Sequence, residues 1–269
     1  MKKIDIKELK IIQFNILKTV AEFCEANKIE YFLWAGTLLG AVRHKGYIPW
    51  DDDIDICMRR EEYNKFFMLF NRNRIDSLFA INADNTTDYY AAYGKVINTD
   101  TVMKEVNNFN NNIGVYIDVF PMDDLPTDML KVRLLDFRLR PYRYMLILKT
   151  IKVVSTRKWH KNLILKIGEF VIKPISIHWI LKRINSLSTK YDGQDNCSNI
   201  AAIAILTHGF NELFSQSDFN ESCELTFEGV KFKCPVNYRH ILKNFFGDYM
   251  KLPSAENRKS HHAYEAYWK

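Results

Sequence analysis

The chain has 269 residues, 47% of them hydrophobic and 26% charged, a globular composition that excludes a disordered or low-complexity protein. Its net charge of +6 is uneven: residues 131–183 hold 14 Lys and Arg against 2 Asp and Glu, so the remainder is acidic on balance. Five scattered cysteines without CxxC spacing exclude a disulfide framework and a zinc knuckle. A charged N-terminal decapeptide and the lack of any run of 18 apolar residues add the expectation of a reduced, cytoplasmic setting without a membrane span.

The length fits one large domain, or a catalytic core with an appended lobe. Residues 5–28 place Leu9, Ile12, Ile16, Val20, Phe23 and Cys24 at helical spacing. The apolar run 31–34 predicts a short buried strand, and Gly36-Thr37 then open a second helix that Gly46 closes. Residues 53–58 alternate polar and apolar, the pattern of a half-buried strand, with Cys57 as a small buried hydrophobe. A helix follows at 61–72, then strands at 77–81, 91–98 and 113–120. From 127 to 190 the pattern becomes long basic helices punctuated by Pro141 and Pro174. Beyond 196 come short strands, a hairpin turning at Glu228-Gly229, a helix at 237–246 and a polar tail. Helices and strands mixed in this way predict an α/β or α+β core.

The segment Pro49-Trp50-Asp-Asp-Asp-Ile-Asp-Ile56 is the sharpest chemical signal. On a strand, positions i and i+2 share a face, which sends Asp53 and Asp55 one way and Ile54 and Ile56 into the core. Adjacent carboxylates on a rigid strand repel unless a cation lies between them. An oxygen donor set of this kind suits Mg²⁺ or Mn²⁺. Asp51 has the same parity as this pair, whereas Asp52 is read as a cap on solvated surface. Asp118, inside the apolar run Tyr116-Ile-Asp-Val-Phe-Pro121, is the third carboxylate of the set, and Asp123 and Asp124 beyond the proline are read as turn residues. Free N–H groups at Gly36-Thr37 form a phosphate cradle at a helix start. Arg43, His44 and Lys45 close that helix, where cations are favourable. Lys95, within Tyr-Gly-Lys-Val-Ile, is the lysine expected to reach into the cleft.

The block Gly36-Thr-Leu-Leu-Gly-Ala-Val-Arg-His-Lys-Gly-Tyr-Ile-Pro-Trp-Asp-Asp-Asp-Ile-Asp-Ile56 resembles the hallmark of the LicD-type phosphotransferase family, within the nucleotidyltransferase-fold superfamily. The resemblance continues at 92–101, at 116–123 and in Phe246-Gly-Asp-Tyr-Met-Lys-Leu-Pro253, with Arg258, His261 and His262 beyond; only 127–195 lacks a matching motif. Ser254 stands where the family usually has a second proline. The resemblance implies a single catalytic domain over 1–269 with an α+β, nucleotidyltransferase-like mixed sheet at 1–126. A basic helical insertion at 127–195 and a return to the site at 196–269 complete it.

It further implies transfer of a phospho-alcohol, typically phosphocholine, from CDP-choline to a sugar hydroxyl of a cell-surface glycan, with CMP released. Fukutin-like relatives are similar in using CDP-ribitol. By position, Asp53, Asp55 and Asp118 hold the metal and Gly36 and Thr37 face the donor phosphates. Arg43 and Lys95 are further substrate-binding candidates, and Asp118 or Asp51 takes the hydroxyl proton. Trp34, Trp50 and Tyr116 are the aromatic candidates for a quaternary ammonium. Arg258, His261 and His262 are candidates to close over the phosphates. Teichoic acid, capsule and lipopolysaccharide all fit as acceptors, lipid-linked or free.

The basic segment interleaves its Lys and Arg with Leu, Ile, Trp and Tyr, and is read either as a solvated helical lobe or as a peripheral contact with the anionic inner face of the plasma membrane. Two rival functions remain. One is a true nucleotidyltransferase moving NMP from an NTP to a small molecule or RNA, although nucleic acid is not the expected partner. The other is an inactive member that only binds membrane or partner.

Overall fold

The computed structural model describes residues 1–73, 75–105, 113–151, 159–207, 209–254, 256, 258 and 264–269. In chain order it contains β1 (Lys3–Ile4), α1 (Ile6–Ala26), β2 (Phe32–Leu33), α2 (Ala35–Arg43), β3 (Asp55–Arg59), α3 (Arg60–Phe70) and β4 (Leu78–Ile81). Next come β5 (Gly94–Asn98), β6 (Thr101–Glu105), β7 (Tyr116–Pro126), α4 (Met129–Thr150), α5 (Trp159–Ile172) and α6 (Ile177–Ser188). The chain then returns through β8 (Cys197–Ala201), β9 (Phe214–Ser215), β10 (Ser222–Phe227), β11 (Val230–Pro235), α7 (Tyr238–Phe246) and β12 (Tyr264–Trp268). The class is mixed α+β.

The main sheet runs β2-β3-β7-β5-β4, with β8 and β9 added beyond. Only the β3–β7 pair within it is parallel. A parallel pair needs a long crossover, and α3, β4 and β5 are built into this one. Helix α1 starts with Asp5 accepting a hydrogen bond from the Glu8 N–H and buries Leu9, Ile12, Ile16, Val20 and Phe23 in the main core. The β10–β11 hairpin turns through Glu228 and Gly229, both at positive φ, which the favoured two-residue hairpin turn requires. Glu228 then takes the Tyr47 N–H at 3.0 Å, fixing the hairpin to the loop before β3.

Four expectations change. Strand β3 is buried on both faces, not one, because it lies inside the sheet with helices α2 and α3 packed against it. Strand β7 does not stop at Pro121 but continues to Pro126, so Asp123 and Asp124 are strand residues, not turn residues. Pro121 falls between Val119, the last partner of β5, and Asp123, the first partner of β8. On that edge no ladder bond is waiting for the missing N–H. Helix α4 runs through Pro141. Leu135 and Leu139 before the proline and Met145 and Leu146 after it pack on one cluster with α6 and β7, which outweighs a local penalty of about 3 kcal/mol. Finally, the tail carries a strand, since β12 lies between β1 and β6 in a separate three-stranded sheet.

Gly94 opens β5 because a ring occupies the space a side chain would need. A Cβ there would lie 2.0 Å from Phe67 Cζ. Gly94→Ala is therefore expected to cost about 1–3 kcal/mol by overpacking, read as a lower urea midpoint at unchanged m-value. A wild-type midpoint would show that Phe67 has room to turn away.

Candidate active site

The parallel register of β3 on β7 sets Asp55 directly opposite Asp118. On the other side of β7, antiparallel pairing sets Lys95 of β5 opposite the same Asp118. Residues that face each other across a ladder point to the same side of the sheet. The three strands thus carry Asp55, Asp118 and Lys95 in a row, on neighbouring strands about 4.8 Å apart. Lys95 is 1% exposed, and its ammonium donates to Asp118 Oδ1 at 2.6 Å. The same Nζ lies 3.4 Å from the centroid of Tyr116 and 5.1 Å from that of Tyr93. Its charge is directed at Asp118 and two rings, not at an open cleft.

The loop before β3 brings the other acids. Carboxylate oxygens of Asp51, Asp52 and Asp53 lie within 4.8 Å of one another. Asp52 is buried, contrary to its reading as solvated surface, and its carbonyl accepts from Gln13 Nε2 at 3.0 Å. The loop is anchored from α1, so the whole acidic run is held inward. Asp55 is pushed well above the ordinary carboxylate range by burial first, then by the charges of Asp53, Asp118 and Asp51, with Lys95 opposing. Five carboxylates, Asp51, Asp52, Asp53, Asp55 and Asp118, thus outnumber the two ammonium groups that act on them, Lys95 and Lys10. An added cation would relieve this excess, and the all-oxygen donor set fits a hard divalent ion.

Helix α2 supports this centre. The Asp55 N–H donates to Thr37 Oγ1 at 2.8 Å and the Trp34 N–H to the Asp55 carbonyl at 3.0 Å, which locks the helix start to the strand start. A Cβ on Gly36 would lie 2.8 Å from Asp51 Oδ2, so glycine lets that carboxylate approach the N-terminal turn of α2. Arg43 donates to the Tyr249 carbonyl at 2.8 Å and holds the segment after α7 in place. Between them lies a cleft of about 830 Å³, lined by Gly36, Arg43, Trp50, Asp51, Tyr249 and Pro253 among others. Arg258 reaches it too, 5.6 Å above the Trp50 ring, with its Nε–H on the Pro253 carbonyl. Trp34 is no part of it, being buried among Phe214, Phe219 and Phe245. His261 and His262 lie outside the described residues.

Sequence reading missed two groups. Lys10 projects from α1 toward the acids: burial lowers its ammonium, while Asp51, Asp52 and Asp53 push it back up. Nothing in its spacing marks it. Asp123, fully buried, pairs with Arg60 at 2.6 Å, and an arginine opening α3 five residues after Asp55 was the available signal.

The motifs that flank the cleft are far apart in sequence, which makes them a test of relatedness. Residues 28–156 match the family model described as "LicD/FKTN/FKRP, nucleotidyltransferase domain". The chain is 29% identical over 279 aligned positions to the lipopolysaccharide cholinephosphotransferase LicD of Haemophilus influenzae, covering 99% of each chain. Both likenesses point to the LicD family. Shorter matches link it to an uncharacterised protein of Rickettsia typhi, 43% identical over 23% of this chain and 20% of that one. Another, from Rickettsia prowazekii, is 47% identical over 18% of each. The LicD model spans α2, the acidic run, Lys95 and Asp118, and the full-length relative extends the likeness over the segment after α7.

Proposed function

We propose that this chain is a single catalytic unit of the LicD family that transfers phosphocholine from CDP-choline to a sugar hydroxyl of a cell-surface glycan, lipopolysaccharide being the acceptor class named for its relative. The observation that carries the reading is the in-register placement of Asp55 beside Asp118, with Asp51 of the same acidic run lining a cleft that holds an aromatic face and an arginine. Asp53, Asp55 and Asp118 would hold Mg²⁺ or Mn²⁺. Bound there, the ion would offset charge on the donor pyrophosphate as CMP departs.

The remaining work falls to side chains. Lys95 fixes Asp118 in direction. Asp51 lines the cleft and would accept the proton of the incoming hydroxyl. Arg258 would supply positive charge to the donor phosphates, and Trp50, with that guanidinium over one face, would turn its other face to the quaternary ammonium. Gly36 leaves room for Asp51 beside the N-terminal turn of α2. The reaction would run in the cytoplasm, where CDP-activated donors are made.

A thermal-shift panel of CDP-choline, CDP-ribitol, CDP-glycerol, CTP and ATP, with and without Mg²⁺, tests the reading. CDP-choline with Mg²⁺ is expected to raise the midpoint, since a ligand at about 100 times its Kd adds about 2.7 kcal/mol. A shift with CTP or ATP alone would install the nucleotidyltransferase reading instead, and another CDP-alcohol would rename the donor.

A further inference from the structure

Helix α4 buries Val132, Leu135 and Leu139 against α6 and β7. At about 100° per residue, Leu130, Leu134, Phe137, Pro141 and Tyr144 form a second apolar stripe on the opposite side. That stripe faces solvent. Lys131 and Arg138 border it on one side, Arg133 and Arg140 on the other, all exposed. Helix α5 extends the surface. A Cβ on its Gly168 would lie 3.0 Å from Leu148 Cδ2, so α5 packs where the α4 stripe ends. Turned away from that contact, α5 displays Leu163, Ile167 and Phe170, with Val171 alongside, and exposed Lys166 and Lys173 beside Phe170. The eight stripe side chains other than Pro141 are between 48 and 78% exposed. A monomer in water rarely leaves two adjacent helices apolar on their outer faces.

We propose that the α4–α5 face is a docking surface for an anionic lipid bilayer, its apolar stripes entering the acyl boundary and its basic borders meeting the headgroups. The charge selects this occupant: with 14 basic against 2 acidic residues in 131–183, a second copy of the same face would be repelled, whereas anionic lipid is attracted. No helix among the described residues is long and apolar enough to cross a membrane, and none is needed for a helix lying in the interface. The inference stands apart from the choice of donor or acceptor.

The test is co-sedimentation of the full chain with vesicles of phosphatidylcholine alone and with a phosphatidylglycerol admixture. Wild type is expected to partition onto the anionic vesicles and to leave them at high salt. Phe137→Glu with Phe170→Glu should lower the partition coefficient at least about tenfold, given the transfer energy of one buried aromatic ring. Both sites are exposed, so far-UV circular dichroism and Tm should not move. Absence of wild type from anionic vesicles, or equal partitioning of the variant, would overturn the proposal. So would a wild-type dimer in light scattering that the variant dissolves without any lipid effect.

Discussion

Asp55→Asn is expected to abolish transfer while making the metal-free protein more heat-stable. The loss of activity follows if Asp55 is one of the carboxylates that hold the proposed cation, an electrostatic deletion worth on the order of 10²–10³-fold in rate. The gain in stability follows from the crowding of charge. Burial and the charges of Asp53, Asp118 and Asp51 raise the folded-state pKa of Asp55 above its ordinary value of 3.8. A carboxyl raised in this way favours folding while it is protonated, below the unfolded value, and that contribution is lost as pH rises through the folded value. In EDTA, wild-type Tm should therefore decline across that window, and the variant should decline less. Mg²⁺ should restore wild type more than the variant. Transfer activity within about tenfold of wild type would remove Asp55 from the metal site.

The second large effect lies at the other end of β7. Arg60 donates to Asp123 Oδ1, and Asp123 Oδ2 is buried with no partner. Arg60→Ala leaves that carboxylate uncompensated and is expected to cost about 3–5 kcal/mol in urea unfolding. Replacing both residues, Arg60→Met with Asp123→Leu, should recover most of the loss. Burial already pushes Asp123 up to about 7 against the pull of Arg60, and without the guanidinium it must rise further. The deficit of the single variant should then be smallest well below pH 7, where Asp123 is protonated in both folded proteins, and grow as pH rises through about 7. A flat deficit across pH would mean that lost packing, not unpaired charge, is the cause.

How far the sequence carried depended on the range of the interaction. Helix α1 and the Glu228-Gly229 turn are encoded within a few residues, and both were legible; the 53–58 alternation gave the strand but not its start or burial, since β3 begins at Asp55 and leaves Asp53 in the loop. Asp118 was identified as a candidate by its apolar neighbours, but its pairing with Lys95 is a register between strands and leaves no local trace. Pro121 misled for a related reason, because a proline breaks a strand only where a neighbour awaits its N–H. Trp34, Trp50 and Tyr116 looked alike as aromatic residues near motifs; packing alone separates a core ring from a cleft ring and from one covering an ammonium. Strands β6 and β12 were missed because each needs the other, and β1, to be a strand at all.

The row Asp55, Asp118, Lys95 depends on two separate registers meeting at one residue of β7. A slip of β7 by one position would put Ile117 or Val119 opposite Asp55 and turn Asp118 into the core. No such misregistered chain retains the row. Retained transfer in a variant would thus report that β3, β7 and β5 are in register, so a mutant library selected for transfer would be enriched in correct β-pairing without any structural assay.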